Sequence, residues 1–235
     1  MKLKYINEIK KLESLPKVVN LFSKTEIQNI LEFYRSLPVT VHNKKQNVIK
    51  KRWIQNYNKN LDNFYISKLK EVLIDFKMDN LKSEKGEDFF GLIQESFTPI
   101  KLHVDSGFDE NSIIYKQTLV PLTPFGETVI FQNRWYDGST MLTNNKDELK
   151  IKPKHKGQND RSSKHLNLYN NENFDPVVHK KYLSHIDINN LKGLKTLMIY
   201  KWKLGDILIF DRTNIHCSSC NIEKHKIGLT TFTKK

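Results

Sequence analysis

The sequence predicts a mainly β domain preceded by helices. Three observations predict it. Short runs of strand-forming residues, divided by turn signals, occupy the chain from about residue 88 onward. Apolar residues at helical spacing occupy the first third. A hydrophobic fraction of 38% with 11% aromatic residues over 235 positions supplies one substantial core. The expected organisation is a single domain, with a helical part over 1–87 and a β core over 88–235. A long insertion interrupts that core at about 137–171.

The elements follow in order. Ser23-Lys24-Thr25-Glu26 is a capping box. Ile27, Ile30, Leu31, Tyr34 and Leu37 follow it at helical spacing and Pro38 ends the run. A second helix is expected over Leu61 to Phe76, with Ile66, Leu69, Val72, Leu73 and Phe76 along one side. Helices of this kind cover one face of a sheet. Strands are expected at Phe89–Gln94, Ile100–Val104, Tyr115–Leu122 and Thr128–Gln132. The stretch from Asp137 to Asn171 is rich in Lys, Asn, Ser and Gly and has little apolar periodicity, which marks a lid or a surface loop. A short helix around Val177–Leu183 precedes further strands at Thr196–Tyr200, Ile207–Phe210 and Lys226–Thr233.

Composition narrows the function classes. No apolar run is long enough to span a bilayer. Met1-Lys2-Leu3-Lys4-Tyr5 carries no secretion signal, so a cytoplasmic location is expected. The net charge of +13 admits a polyanionic partner, yet most of the basic residues are Lys, and bidentate phosphate recognition favours Arg. Nucleic acid is therefore a possible partner but not the favoured one. Cys217 and Cys220 form a Cys-x-x-Cys with no helix start and no further ligand pair at matching spacing, and are read as incidental thiols. His155, His165, His179 and His185 share no ligand spacing and are read as surface histidines.

The chemistry concentrates in His103-Val104-Asp105, with His216 following 113 residues after His103. On a strand, positions i and i+2 point the same way, so one imidazole and one carboxylate can reach a single cation while Val104 packs on the other side. His216 follows the strand Ile207–Phe210 and can supply a third ligand. Two imidazoles and a carboxylate on one octahedral face, with the remaining positions open, suit iron(II). A lone His-x-Asp is common in turns; the weight comes from its combination with the Gly205-Asp206-Ile207-Leu208-Ile209-Phe210 strand before His216 and with Lys226 ten residues after it.

The segment Trp202 to His216 resembles the distal half of the 2-oxoglutarate and Fe(II)-dependent oxygenase superfamily, which includes phytanoyl-CoA and prolyl hydroxylases. Ile100-Lys101-Leu102-His103-Val104-Asp105 resembles its proximal half. The resemblance extends over about 88–234 and implies a double-stranded β-helix (jelly-roll) core with helices outside. It also implies that His103, Asp105 and His216 ligate iron. 2-Oxoglutarate would be the cosubstrate, its distal carboxylate held by Lys226, which stands where the superfamily places Arg or Lys, with Lys224 an alternative. Thr230 shares the Lys226 face and offers a second donor; Gln117 or Tyr115, on a neighbouring strand, would orient the cosubstrate. Arg134 and Trp135 fall near the expected mouth and are substrate-contact candidates.

The implied reaction consumes O2 and 2-oxoglutarate, releases succinate and CO2, and hydroxylates a substrate. Asp105 argues against halogenation, because halogenating relatives carry a small residue there. A small molecule or free amino acid is the expected substrate, ahead of a prolyl-type protein or peptide hydroxylase. From a different class, a non-enzymatic jelly-roll binding module would use the same three residues as rim and core polar groups.

Overall fold

The structure is a computed structural model that describes residues 3–39, 41–43, 48–82, 86–107, 109–143, 158–160, 172–222, 224 and 226–235. Two sheets, antiparallel apart from the parallel β10–β11 pair, face each other. In chain order the strands are β1 (Lys17–Asn20), β2 (Val41–Asn43), β3 (Val48–Ile54), β4 (Lys77–Met78), β5 (Leu81–Lys82), β6 (Asp88–Ser96), β7 (His103–Val104) and β8 (Ile114–Pro121). They continue with β9 (Glu127–Arg134), β10 (Thr140–Thr143), β11 (Gln158–Asp160), β12 (Thr196–Lys201), β13 (Asp206–Asp211), β14 (Asn214–Ser218) and β15 (Lys226–Lys234). The larger sheet runs β1-β13-β8-β15-β6-β3-β2, with β4 beside β15 and β5 beside β6; the smaller runs β11-β10-β7-β14-β9-β12. From β6 to β9 the chain alternates between the sheets; it stays in the smaller sheet through β10, β11 and β12, then alternates again, with β13 and β15 in the larger sheet and β14 in the smaller. That winding is a jelly roll.

Helices α1 (Ile6–Lys11), α2 (Lys24–Ser36) and α3 (Lys59–Val72) precede it. The Ser23 hydroxyl accepts from the Glu26 amide at 3.2 Å, and the Glu26 carboxylate accepts from the Ser23 amide at 2.7 Å. The capping box therefore closes and fixes where α2 starts. Ile27, Ile30, Phe33 and Tyr34 of α2 and Tyr65 and Leu69 of α3 form one cluster with Trp53, Ile93, Val120, Ile207 and Leu229 of the larger sheet. The helices thus cover that sheet's outer face. At the centre of this cluster lies Trp53, fully buried, its ring centroid 4.9, 5.1 and 5.3 Å from those of Phe33, Phe90 and Tyr65. Its indole N–H donates to Asp62 at 2.6 Å.

The outer face of the smaller sheet is covered by the segment 172–195. Phe174, Leu183, Ile186, Leu191 and Leu194 meet Leu102, Val104, Val129, Ile215 and Cys217. Between the sheets lie Leu119, Ile130, Tyr200, Trp202, Leu208 and Phe210. Gly228 makes room for one of them, since a Cβ there would stand 2.6 Å from the Trp202 ring.

Several expectations need correction. The first 87 residues are not simply helical, because they add β1 to β5 to the larger sheet; β3 buries side chains on both faces, which hides strand alternation. The second helix ends at Val72, and Asp75 beyond it takes a left-handed φ of 48°. The strand expected from Ile100 begins only at His103. The insertion read over 137–171 contains β10, which pairs with β7, and β11; its residues 144–157 and 161–171 lie outside the described residues. His179 and His185 are not surface groups. The His179 ring meets the Ile186 carbonyl at 2.9 Å, and both His185 ring nitrogens are buried. Burial pushes His185 down to about 4. His155 and His165 lie outside the described residues. No helix among the described residues is long and apolar enough to cross a membrane.

Replacing Trp53 by Ala removes the ring that joins both helices to the sheet. The expected loss is about 3–5 kcal/mol of stability, read by urea denaturation.

Candidate metal centre

Both imidazoles reach the site because their neighbours are apolar and buried. Leu102 and Val104 flank His103, and Ile215 and Cys217 flank His216; all four lie in the outer cluster of the smaller sheet. Alternation then turns His103, Asp105 and His216 inward. β7 and β14 pair with His103 directly opposite His216, and the two ring centroids lie 4.1 Å apart. The Asp105 Oδ2 atom stands 3.8 Å from His103 Nε2 and 3.5 Å from His216 Nε2. One ligand atom from each of the three residues falls within 4.8 Å of the others. Cis ligands about 2.1 Å from a metal stand about 3 Å apart, so a cation need draw these groups together only slightly.

The protonation pattern suits a cation. His103 Nδ1 meets the Lys101 carbonyl at 2.8 Å and His216 Nδ1 meets the Asn214 carbonyl at 3.0 Å. Each Nδ1 is engaged by that carbonyl, which turns Nε2 toward Asp105. Burial, helped by His216, pushes His103 down to about 4, so its ring is neutral at neutral pH. Burial alone would push Asp105 up, but His216, His103 and Lys50 outweigh it and hold the carboxyl well below its ordinary range. A neutral His103 imidazole beside an ionised carboxylate is a donor state that a divalent ion needs. Asp105 is the most open of the three, its side chain 31% exposed against 18% for His103 and 5% for His216.

A surrounding set of residues fixes these groups. Gln117 donates from its amide to Asp105 Oδ2 at 3.0 Å, and so lies against a candidate ligand. Arg212, 1% exposed, lies within the Trp202–His216 segment but received no role from the sequence. Its Nε donates to the Asp105 carbonyl at 3.1 Å, and its Nη1 meets Asp79 at 2.5 Å and the Thr233 carbonyl at 3.2 Å. Gly107 carries the chain over that guanidinium with a φ of 98°, and a Cβ there would sit 2.8 Å from Nη2. The available signal was an arginine directly after an unbroken strand, a place where a free charge would be costly to bury.

The other candidate residues separate into two groups. Lys226 is 3% exposed and its ammonium lies 4.4 Å from the Trp202 ring centroid, inside the jelly roll. Thr230 lies on the same strand face. Lys224 is exposed, 5.5 Å from the Phe125 ring. Tyr115 packs toward the helix-side cluster, with the Lys235 ammonium 4.3 Å from its ring. Arg134 is committed elsewhere: it meets Asp211 at 2.8 Å, Glu13 at 3.3 Å and Thr213 at 2.9 Å. Trp135 is buried in the cluster outside the smaller sheet and donates to the Gly138 carbonyl. The structure does not bring Tyr115, Arg134 or Trp135 to the three ligands. Cys217 is a buried free thiol that burial pushes up, and Cys220 is free and half-buried.

The chain matches no family model and no curated protein in sequence. Its fold matches solved structures over its whole length. An oxidoreductase of the 2OG-Fe(II) oxygenase family from Burkholderia pseudomallei aligns with a TM-score of 0.50 at 8% identity, covering 100% of this chain and 93% of that one. HygX from Streptomyces hygroscopicus, with nickel and 2-oxoglutarate bound, gives 0.51 at 11% identity, covering 100% and 87%. The non-heme alpha ketoglutarate dependent carbocyclase SnoK from nogalamycin biosynthesis gives 0.51 at 10%, covering 99% and 83%. The chain therefore has the fold of the 2-oxoglutarate and Fe(II)-dependent oxygenases.

Arg212→Lys retains a charge but cannot hold Asp79 and the Asp105 carbonyl together. Fe(II) affinity is expected to fall about 10–100-fold, as measured by anaerobic calorimetry, with the fold retained.

Proposed function

We propose that the chain is a non-haem iron(II)- and 2-oxoglutarate-dependent oxygenase that hydroxylates a small molecule or amino acid. The observation that carries this reading is the convergence of two imidazole nitrogens and one carboxylate oxygen within 4.8 Å, between the sheets of a jelly roll. When bound, iron with 2-oxoglutarate supplies O2 activation coupled to loss of CO2 from the cosubstrate.

The chain's own residues supply the rest. His103, Asp105 and His216 hold the metal on one side and leave the other open. The carbonyls of Lys101 and Asn214 keep both imidazoles in the ligating tautomer. Gln117 fixes the Asp105 carboxylate through Oδ2. Lys226 receives the distal carboxylate of the cosubstrate. It is buried, and no carboxylate among the described residues lies within ion-pair distance of its ammonium. An arriving anion would supply the missing counter-charge. Trp202 walls that position, and Thr230 offers a hydroxyl on the same strand face. A small-molecule substrate agrees with HygX, whose fold is shared and which has been solved with hygromycin B bound.

Anaerobic addition of Fe(II) and 2-oxoglutarate is expected to give a weak absorption band at roughly 500 nm from the chelate at the open positions. His103→Ala and Asp105→Ala should lose metal binding and the band together. A band that survives both substitutions would remove the metal centre from these residues.

Lys226 gives a pH signature. Burial pulls its ammonium down to about 8, so it is charged below that pH and loses its proton above it. A carboxylate prefers the charged form. The 2-oxoglutarate half-saturation concentration should therefore rise as pH climbs through this value, by up to about tenfold per unit. Lys226→Arg stays charged and should flatten the rise, whereas Lys226→Ala should raise the requirement at every pH and leave iron in place.

A further inference from the structure

Two cations lie on the inner wall beside the centre: Lys50, whose charge acts on Asp105, and Arg52. Within β3, Lys51 and Trp53 point outward: the Lys51 ammonium meets the Tyr34 carbonyl at 2.8 Å and Trp53 lies under the helices. Alternation turns Lys50 and Arg52 inward, to the face that carries Lys226 and Thr230. The register sets Lys50 opposite Gln94 and Arg52 opposite Leu92 on β6, while Lys226 lies across β6 from Val48, opposite Ser96. The three basic side chains therefore line one wall, with Lys50 and Arg52 displaced from Lys226 across β6.

Lys50 is half-buried; Asp105 is the opposite charge that acts on it, and Arg52 acts on it with like sign. The Arg52 guanidinium lies over Phe89, 5.3 Å from the ring centroid, and is half-buried. No carboxylate among the described residues lies within ion-pair distance of it. Two like charges two positions apart on one strand face repel each other, and partial burial weakens the solvent screening that would relieve them. An anion set between them reverses the sign of that interaction, and a guanidinium beside an aromatic ring keeps the donor fork that a planar or tetrahedral oxyanion accepts.

We propose that Lys50 and Arg52 form the docking site for an oxyanion, a carboxylate or a phosphate, on the primary substrate. The word substrate rests on the oxygenase reading; the anion site does not. On that reading the protein oxidises an acidic small molecule, anchored by its anionic end on β3 with an oxidisable carbon toward the Asp105 side of the metal. This site is distinct from the Lys226 position assigned to the cosubstrate.

Inorganic phosphate and acetate, titrated separately by calorimetry into the full chain, test it. Lys226→Gln is used as the background, so that the cosubstrate position takes neither ion. Binding of one of the two is expected to persist in that background. It should weaken about tenfold or more on adding Arg52→Gln, the loss of a charge-assisted bond, and recover in part with Arg52→Lys. The ion that binds tells carboxylate from phosphate. Binding abolished by Lys226→Gln alone, binding indifferent to Arg52, or no binding of either ion would overturn the proposal. A failure of the oxygenase reading shows itself separately, as a missing iron and 2-oxoglutarate band in the unaltered chain.

Discussion

The pairing of β7 with β14 is the constraint on which the centre depends. It sets His103 against His216, and it holds only because the residues on either side of each histidine are apolar and already committed to the opposite face. A slip of one position would send both imidazoles into the cluster of Leu102, Val104, Ile215 and Cys217 and bring apolar side chains to face Asp105. Ligand geometry is thus secured by hydrophobic burial behind the sheet, not by attraction among the ligands themselves. β10 adds to this by pairing with the far edge of β7, which would otherwise be a two-residue strand with an open side.

The interior distributes its buried charges unevenly. Lys116 is matched by Asp211, with further bonds to the Leu12 carbonyl and the Ser14 hydroxyl at 2.9 and 2.8 Å. Arg212 is matched by Asp79, which also receives Lys234 at 3.1 Å. These groups tie elements together. Lys226 faces the space between the sheets with Glu127 acting on it only from beyond ion-pair distance, and half-buried Arg52 has no acid within that distance among the described residues. A folded chain keeps a desolvated cation without a partner only at a cost of order kcal/mol, and such sites coincide with places where a ligand completes the pairing. The net charge of +13 gave no view of this difference, because it weighs solvated lysines and buried ones alike.

Much of the centre was legible in the sequence, since strand alternation alone turns His103 and Asp105 to one face and needs no tertiary knowledge. The capping box at Ser23 was equally local. What escaped detection is non-local or two-sided. β3 packs on both faces, and its run Val48-Ile49-Lys50-Lys51-Arg52-Trp53-Ile54 has no polar-apolar alternation, so Lys50 and Arg52 passed unnoticed within a stretch taken as helical. Arg212 received no role because its partners, Asp79 and the Thr233 carbonyl, are remote in the chain. Arg134 and Trp135 were assigned to a mouth from their position at a strand end, but α1 and the loop after it bring Glu13 to Arg134, and that loop was not visible as a packing element. The substrate was not legible at all, because the ligand pattern describes the oxidant and not the molecule oxidised.

The Arg212 guanidinium has a consequence that reaches the end of the chain. It joins the Asp105 backbone to Thr233, while Lys234 grips the same aspartate that Arg212 does. Fraying of the terminal strand and loosening of the metal-facing carboxylate are therefore one event seen from two ends. By thermodynamic reciprocity, a ligand that tightened Asp105 would slow hydrogen exchange along the last residues of β15.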